Sequence, residues 1–420
     1  MLVGDHRPAN VGPGAVGLWP DVGYEARAHW ARIDPESVPT VTVSPKSYLH
    51  RVSFAHVTVP YRVIQVGTGG QGANWCRHHL PPNVEGGLVD VVAAVDVDEA
   101  AHENAIEHLD LDPSQCYTDY EAAFAAVDAD CCTIVVPPWL HEDVVDAAIE
   151  HDLHVLSEKP IADSLEASVR IAQKIDRAGL KMGVTMSHRF DRDKTTFRRR
   201  LQSGAAGPID YLVGRFTCNA RSYGSWGEFR HEMDDALLIE GGVHQLDFIA
   251  DMADGLCETI YADTWTPEWG EYEGDVQALV QLRFENGVRA TWEGAKTNAV
   301  TLNGWGSDYL RVECRDETLV LDDREITRYP YDAGAETVGG SPDAADGDAV
   351  PLDEQDKWDI AWLIEQFVDW LDGGDPMATN VADNLQSMAL VEAAIQSSDT
   401  GQPIHVQDLL DDARESVSVE

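Results

Sequence analysis

A chain of 420 residues is longer than one hydrophobic core usually serves, so at least two domains are expected. Hydrophobic residues make up 44%, which excludes wholesale disorder, and no apolar run approaches the roughly 20 residues needed to cross a bilayer. Lys and Arg total 30 against 74 Asp and Glu, a net charge of -44 spread along the chain, which argues against nucleic acid and anionic membranes as partners.

Residues 1–60 are rich in Gly, Pro, Val and His without periodicity and read as an irregular extension. From Tyr61 the pattern changes. Tyr61 to Val66 is a compact apolar strand, followed by a Gly-rich turn and a helix-like stretch to about Leu80. Val89 to Val95 reads as a strand, Glu99 to Leu109 as a helix, and Cys132 to Val136 as a buried strand. His141 to His151 (helix), Leu153 to Leu156 (strand), Ser164 to Ala178 (amphipathic helix) and Lys181 to Met186 (strand) complete residues 61–186. Alternating short strands and helices predict a parallel α/β sheet with right-handed crossovers.

Residues 187–331 have another rhythm. A helix is expected from Leu237 to Met252. Strands are expected at Tyr211–Asn219, Thr259–Thr266, Val276–Phe284, Val288–Ala295, Tyr309–Glu313, Leu319–Leu321 and Ile326–Tyr329. Glu285-Asn286-Gly287 marks a hairpin turn. The expectation is an α+β domain with a large open, mostly antiparallel sheet. Residues 332–354 read as an acidic loop. Residues 355–420 carry helices near Trp358–Leu371 and Val381–Ser397 that pack back on the domains.

Gly67-Thr-Gly69-Gly70-Gln71-Gly72 lies between a strand and a helix. The plain reading of GxGxxG is an ordinary βα turn. In this context the glycines allow a sharp turn and close approach of backbone N–H groups to a pyrophosphate at a helix start. Asp96 ends the second strand, where a carboxylate accepts from ribose hydroxyls and repels a 2′-phosphate; with no Arg beside it, NAD is expected over NADP.

Glu158-Lys159-Pro160 stands at the carboxyl end of a strand, the edge where ligands bind in such sheets. Only seven of the basic residues are lysines, so Lys159 is a notable choice there; its ammonium can stabilise alkoxide character on a reacting oxygen. The plain alternative is a solvated surface Lys. Glu240, His244 and Asp247 are spaced by four and three, placing them on one face of a helix. Glu240 would orient the imidazole, and His244 would act as general acid or base. The alternative is a structural His among acids. No second His or Cys stands at ligand spacing, so no metal is expected. Pro138 and His141, after a strand, could line the nicotinamide side or merely start a helix. His188 and Arg189 follow the last strand of the first domain and, with Asp247, are candidate substrate contacts in the cleft. Tyr223, Trp226, Trp265 and Trp269 make the second domain aromatic; Trp226 is taken as a substrate contact, though Trp in a sheet domain is more often core.

Together these motifs resemble the Gfo/Idh/MocA family of NAD(P)-dependent oxidoreductases from about Tyr61 to Val406, including the closing stretch Met388 to Pro403. The resemblance implies a Rossmann dinucleotide-binding domain over residues 61–186 followed by a substrate and oligomerisation domain, in a dehydrogenase of sugars, inositols or related polyols, with Lys159 and His244 as the catalytic pair and the second-domain sheet as a dimer or tetramer contact. The family usually has Asp where Glu240 stands. Rival expectations are a hydrolase or lyase that oxidises its substrate transiently on bound NAD, and a non-catalytic NAD- or sugar-sensing protein.

The seven cysteines form no CxxC pair, and Cys131 and Cys132 are adjacent, so reduced thiols and no disulfide framework are expected. The N-terminus lacks a basic stretch followed by an apolar one, and a cytoplasmic setting is expected. Dispersed acidity suits a salt-rich cytoplasm, where screening tempers self-repulsion.

Overall fold

The computed structural model describes residues 59–335 and 347–417. The expectation for residues 1–60 therefore lies almost wholly outside the described residues, as does the middle of the acidic loop.

Strand β1 (Tyr61–Val66) buries its last four residues between β2 (Val89–Val95) and β4 (Cys131–Ile134), and pairs in parallel with both. With β3 (Cys116–Tyr117), β5 (His154–Ser157) and β6 (Met182–Val184) they form a six-stranded parallel sheet in the order β3-β2-β1-β4-β5-β6. Strand order reverses between β1 and β4, so a crevice opens at the carboxyl ends of those strands. Helices α1 (His102–Leu109), α2 (Tyr120–Ala126), α3 (His141–Glu150) and α4 (Leu165–Ala178) make the crossovers. The last is sharply bounded: the Ser164 side chain accepts from Ala167 N–H, and Gly179 closes the helix at φ 68°.

After α5 (Arg192–Gln202), strand β7 (Ile209–Thr217) and helix α6 (Val243–Ala253) lead into the second sheet. Its strands are β8 (Cys257–Trp265), β9 (Gln277–Phe284), β10 (Arg289–Ala295), β11 (Tyr309–Cys314), β12 (Glu317–Asp322), β13 (Glu325–Pro330), β14 (Asp348–Val350) and β15 (Ile404–His405). The order is β14-β13-β12-β11-β7-β10-β9-β8-β15, antiparallel except for the β7–β10 pair. In β9, buried Val280, Leu282 and Phe284 alternate with exposed Leu279, Gln281 and Arg283, the period of a sheet with one packed face. The expected β9–β10 hairpin is present, with Gly287 at φ 88° supplying the left-handed backbone its turn requires. Helices α6 and α8 (Val381–Thr400) cover the packed face; Tyr261, Trp265 and Leu279 stand exposed on the other.

One core runs from Ile64, Ile134 and Val155 through Leu246 and Phe248 to Val280 and Leu310, joining the two sheets. A second lies under α7 (Asp359–Leu371), whose Ile360, Leu363 and Phe367 cover Trp75 and Leu80 of the first domain. Helix α9 (Val406–Val417) ends the described chain. Among the described residues no helix is long and apolar enough to cross a membrane. All seven cysteines are free.

Several elements differ from expectation for identifiable reasons. The stretch after the glycine turn is not one helix: Gln71–Asn74 passes through a π turn at Trp75–His79 and restarts at Pro81, because Pro81 and Pro82 have no N–H to continue the ladder. Helix α5 shows no apolar stripe in sequence because its contacts are ionic. Lys194 meets Asp308, Arg198 meets Asp251 and Arg200 meets Glu317. The helix expected from Leu237 begins as a π turn, Leu237–Gly242. A Cβ at Gly242 would meet the Trp292 ring at 3.1 Å, so the glycine lets this turn lie against the sheet.

Candidate active site

The glycine turn fits a dinucleotide. Gly67 has φ 92°, and a Cβ there would meet Val135 O at 2.1 Å; one at Gly72 would meet Gly67 O at 2.2 Å. Both glycines are thus fixed by the turn itself. Gly70, at φ 52°, faces open space, and a Cβ on Gly69 would meet only Asp96 and Ala101, at 3.5 and 3.6 Å. The outer side of the loop is therefore free for close approach to the start of the following helix. Asp96 Oδ2 accepts from the N–H groups of Thr68 and Gly69, both at 2.8 Å. That carboxylate shapes the loop. The loop and Asp96 would hold NAD.

Glu158 is buried, and its Oε1 accepts from Trp75 Nε1 at 2.8 Å and from Gln71 Nε2 at 3.4 Å. It anchors β5 to the glycine turn and reaches the cofactor side only through Gln71. Pro138 is half-buried at the head of a 3₁₀ turn on the crevice rim. His141 is a correction. It is fully buried, with Nε2 2.9 Å from Val136 O and Nδ1 3.1 Å from Ile161 O. It clips the loops after β4 and β5 together and has no surface to offer a cofactor.

Lys159 lies across from the π turn of the second domain. Its Nζ donates to Glu240 O at 3.2 Å and stands 3.6 Å from Glu240 Oε2. Arg230 reaches the same carboxylate oxygen from the other side, at 2.9 Å from Nε and 2.7 Å from Nη2. Burial alone would raise the Glu240 pKa, but the two cations outweigh it and hold the carboxyl below its ordinary 4.5. Glu240 is therefore not the partner of His244, contrary to expectation. Its π turn takes it off the regular helical spacing, and its carboxylate fixes Lys159 and Arg230 instead.

His244 stacks on His188, ring centroids 4.0 Å apart and 12° from parallel, with Trp305 edge-on to both. Nδ1 of each ring is buried without a hydrogen-bond partner among the described residues. Burial first, then His188, Lys159, Lys194 and Lys296, hold the His244 pKa well below 6.5. Burial and Lys194 push His188 down to about 4. Both rings are neutral at physiological pH, the form a proton acceptor needs.

The structure thus gathers Lys159, Glu240, His244, His188 and Trp226 at one place, and adds Arg230, Trp305 and Lys296, which sequence reasoning missed. The scarcity of lysine was the one signal that could have marked Lys296. Arg189 and Asp247 are a further correction. Asp247 accepts from Arg189 Nε at 2.6 Å and Nη2 at 2.5 Å, and from Ser387 Oγ at 2.5 Å. Each charge satisfies the other in the interior, leaving neither for a substrate. Among the described residues, no group of three or more His, Cys, Asp or Glu is placed to hold a metal ion.

Comparison with known proteins agrees with this architecture. The family model for the oxidoreductase family with an NAD-binding Rossmann fold matches residues 61–186, and that for the GFO/IDH/MocA C-terminal domain matches 195–315. An inositol 2-dehydrogenase of Pseudarthrobacter chlorophenolicus is 33% identical over 375 residues, 84% of this chain and 97% of the relative. The chain belongs to the Gfo/Idh/MocA family. It is an NAD(P)-dependent dehydrogenase, with NAD as its cofactor. Within the family, an uncharacterized protein of Sinorhizobium fredii, y4oX, is 49% identical over 363 residues, 86% of this chain and 99% of the relative. A D-apiose dehydrogenase of Rhizobium rhizogenes is 23% identical over 70% of this chain and 84% of its own. The fold is that of an oxidoreductase from Agrobacterium radiobacter solved with NAD+, L-tartaric acid and magnesium. The TM-score is 0.72 at 19% identity, covering 84% of this chain and all of that one.

Proposed function

We propose that this member of the family interconverts a secondary alcohol and the ketone of a sugar, inositol or related polyol. The observation that carries the reading is the buried His244 ring, stacked on His188, gathered with the Glu240-anchored Lys159 at the crevice beside the glycine turn. NAD held on that turn supplies the acceptor for the hydride. Lys159 donates to the reacting oxygen and favours its alkoxide character. A ring nitrogen of His244 takes the hydroxyl proton, and returns it in the reverse direction. Glu240 holds Lys159 in place, and Arg230 fixes that carboxylate. The named inositol and apiose dehydrogenases among the relatives support this substrate class.

The test is NADH absorbance in multimolar KCl with NAD and a panel of inositols and sugars, beside Lys159→Ala. Net NADH formation that the variant loses is expected. Turnover of a glycoside without net NADH would replace this reading with the transient-oxidation hydrolase or lyase. Tight NAD binding with no turnover of any compound would replace it with the sensor.

As part of the same reading, the acidic surface belongs to a salt-rich cytoplasm, and a homodimer or homotetramer forms through the open sheet face. Exposed Tyr261, Trp265 and Leu279 on that face support the second point. Sedimentation of the full chain across a KCl series is expected to show an oligomer in high salt and loss of structure in low salt. A salt-indifferent, folded monomer would overturn both.

A further inference from the structure

Lys296 follows β10 and is completely buried, yet its Nζ has no hydrogen-bond partner among the described residues. Three aromatic rings enclose it instead. Nζ lies 3.6 Å from the ring centroid of Trp226, 4.3 Å from Phe216 and 4.6 Å from Trp305. Ring faces attract a cation, but they do not satisfy three N–H donors as anionic oxygens do. An ammonium held this way keeps its hydrogen-bonding capacity in reserve. Burial pushes its pKa down to about 7, with Lys159 and Arg230 opposing protonation and Cys218 and Asp308 favouring it.

The position ties this amine to the site. Its Cε lies 3.8 Å from where a Cβ of Gly241 would stand, next to Glu240. The Trp305 ring that covers it is edge-on to His188 and His244, at 5.2 and 6.0 Å. Three of only seven lysines, Lys159, Lys194 and Lys296, converge here. Lys194 is answered by Asp191 and Asp308, and Lys159 shares Glu240 with Arg230. Among the described residues Lys296 has no carboxylate of its own, in a chain of net charge -44.

We propose that Lys296 contacts the substrate, its ammonium receiving an anionic substituent, carboxylate or phosphate, so that the polyol is an acidic one. The inference rests on the polyol reading above. Trp305, the most exposed of the three rings, is the one that gives way to admit the anion.

The test uses the full chain loaded with NADH. D-glucuronate, glucose 6-phosphate and methyl glucoside are titrated in turn, followed by tryptophan fluorescence. Tighter binding of an anionic probe, by about 10- to 100-fold over the neutral one, is expected from one charge-assisted contact. Which anion gains more tells carboxylate from phosphate. Lys296→Met is expected to erase the preference while binding NADH as the wild type does, which shows that it has folded. Lys296→Arg, if Met is not tolerated, retains part of it. The preference should weaken as pH rises from 6 to 9, since the amine loses its proton through that range, and should not vary in Lys296→Met. Equal affinity for neutral and anionic probes, or a preference that Lys296→Met keeps, overturns the proposal. Oxidation of a neutral inositol with no anion preference sinks the Lys296 inference alone. Anion-selective binding with no polyol turned over sinks the dehydrogenation reading alone. Binding of none of the probes sinks both.

Discussion

Replacing His244 by Ala is expected to lower kcat for alcohol oxidation by about a hundred- to ten-thousand-fold, the range for loss of a positioned proton acceptor. NADH affinity should be unaffected, because the glycine turn and Asp96 lie on the other domain and keep their own hydrogen bonds. The pH profile distinguishes this role from a structural one. A proton acceptor works only when deprotonated, so oxidation fails as pH falls through its pKa. Burial and the neighbouring cations hold that pKa well below 6.5, so the acid limb of the wild-type profile should lie below the position an exposed His would give. The residual rate of His244→Ala should lack that limb, with thermal stability changed little. A profile that keeps the same limb in the variant would assign the proton to another group.

The parts of this site that were legible in the sequence are the locally determined ones. A strand, six residues containing four glycines, a helix and a following acid occupy one continuous stretch, so spacing alone carries the argument from Gly67 to Asp96. The β9–β10 hairpin is legible for the same reason: alternation of buried and exposed residues meets at Asn286-Gly287. Lys159 was marked by its place after a strand. What was not legible depends on distant segments meeting. Arg230 finds Glu240 only because the π turn at Leu237–Gly242 takes that carboxylate away from the His244 ring. Lys296 and Trp305 sit beyond strands whose pairing the sequence does not show, including the parallel β7–β10 contact. Helix α5 was missed because periodicity detects apolar stripes, and this helix buries Asp193, Lys194, Thr195 and Thr196. His141 misled for the converse reason. A His after a strand at the crevice rim is as well placed to tie loops together as to meet a ligand, and only its two carbonyl neighbours decide between them.

Asp247 shows most sharply how a helical spacing that suggests chemistry can serve packing, and its replacement is expected to give the largest loss of stability. Its carboxylate is buried against the Arg189 guanidinium in a bidentate pair, with Ser387 of α8 donating to the same group. Arg189 also reaches Asp251, 3.3 Å away, and Asp251 meets Arg198 of α5, so the pair joins α5, α6 and α8 to the segment leaving β6. Removing one member of such a pair leaves Asp247 without its cation, or Arg189 with Asp251 alone, at a cost of about 3–5 kcal/mol. Asp247→Ala should therefore unfold at markedly lower temperature, while the protein still folded in the cold keeps its KM for the polyol. Arg189→Met should behave alike. The double replacement Arg189→Met with Asp247→Leu should be less destabilised than the sum of the two single changes, because no lone charge remains. Additive losses in that cycle, or a raised KM without loss of stability, would return Asp247 to the substrate site.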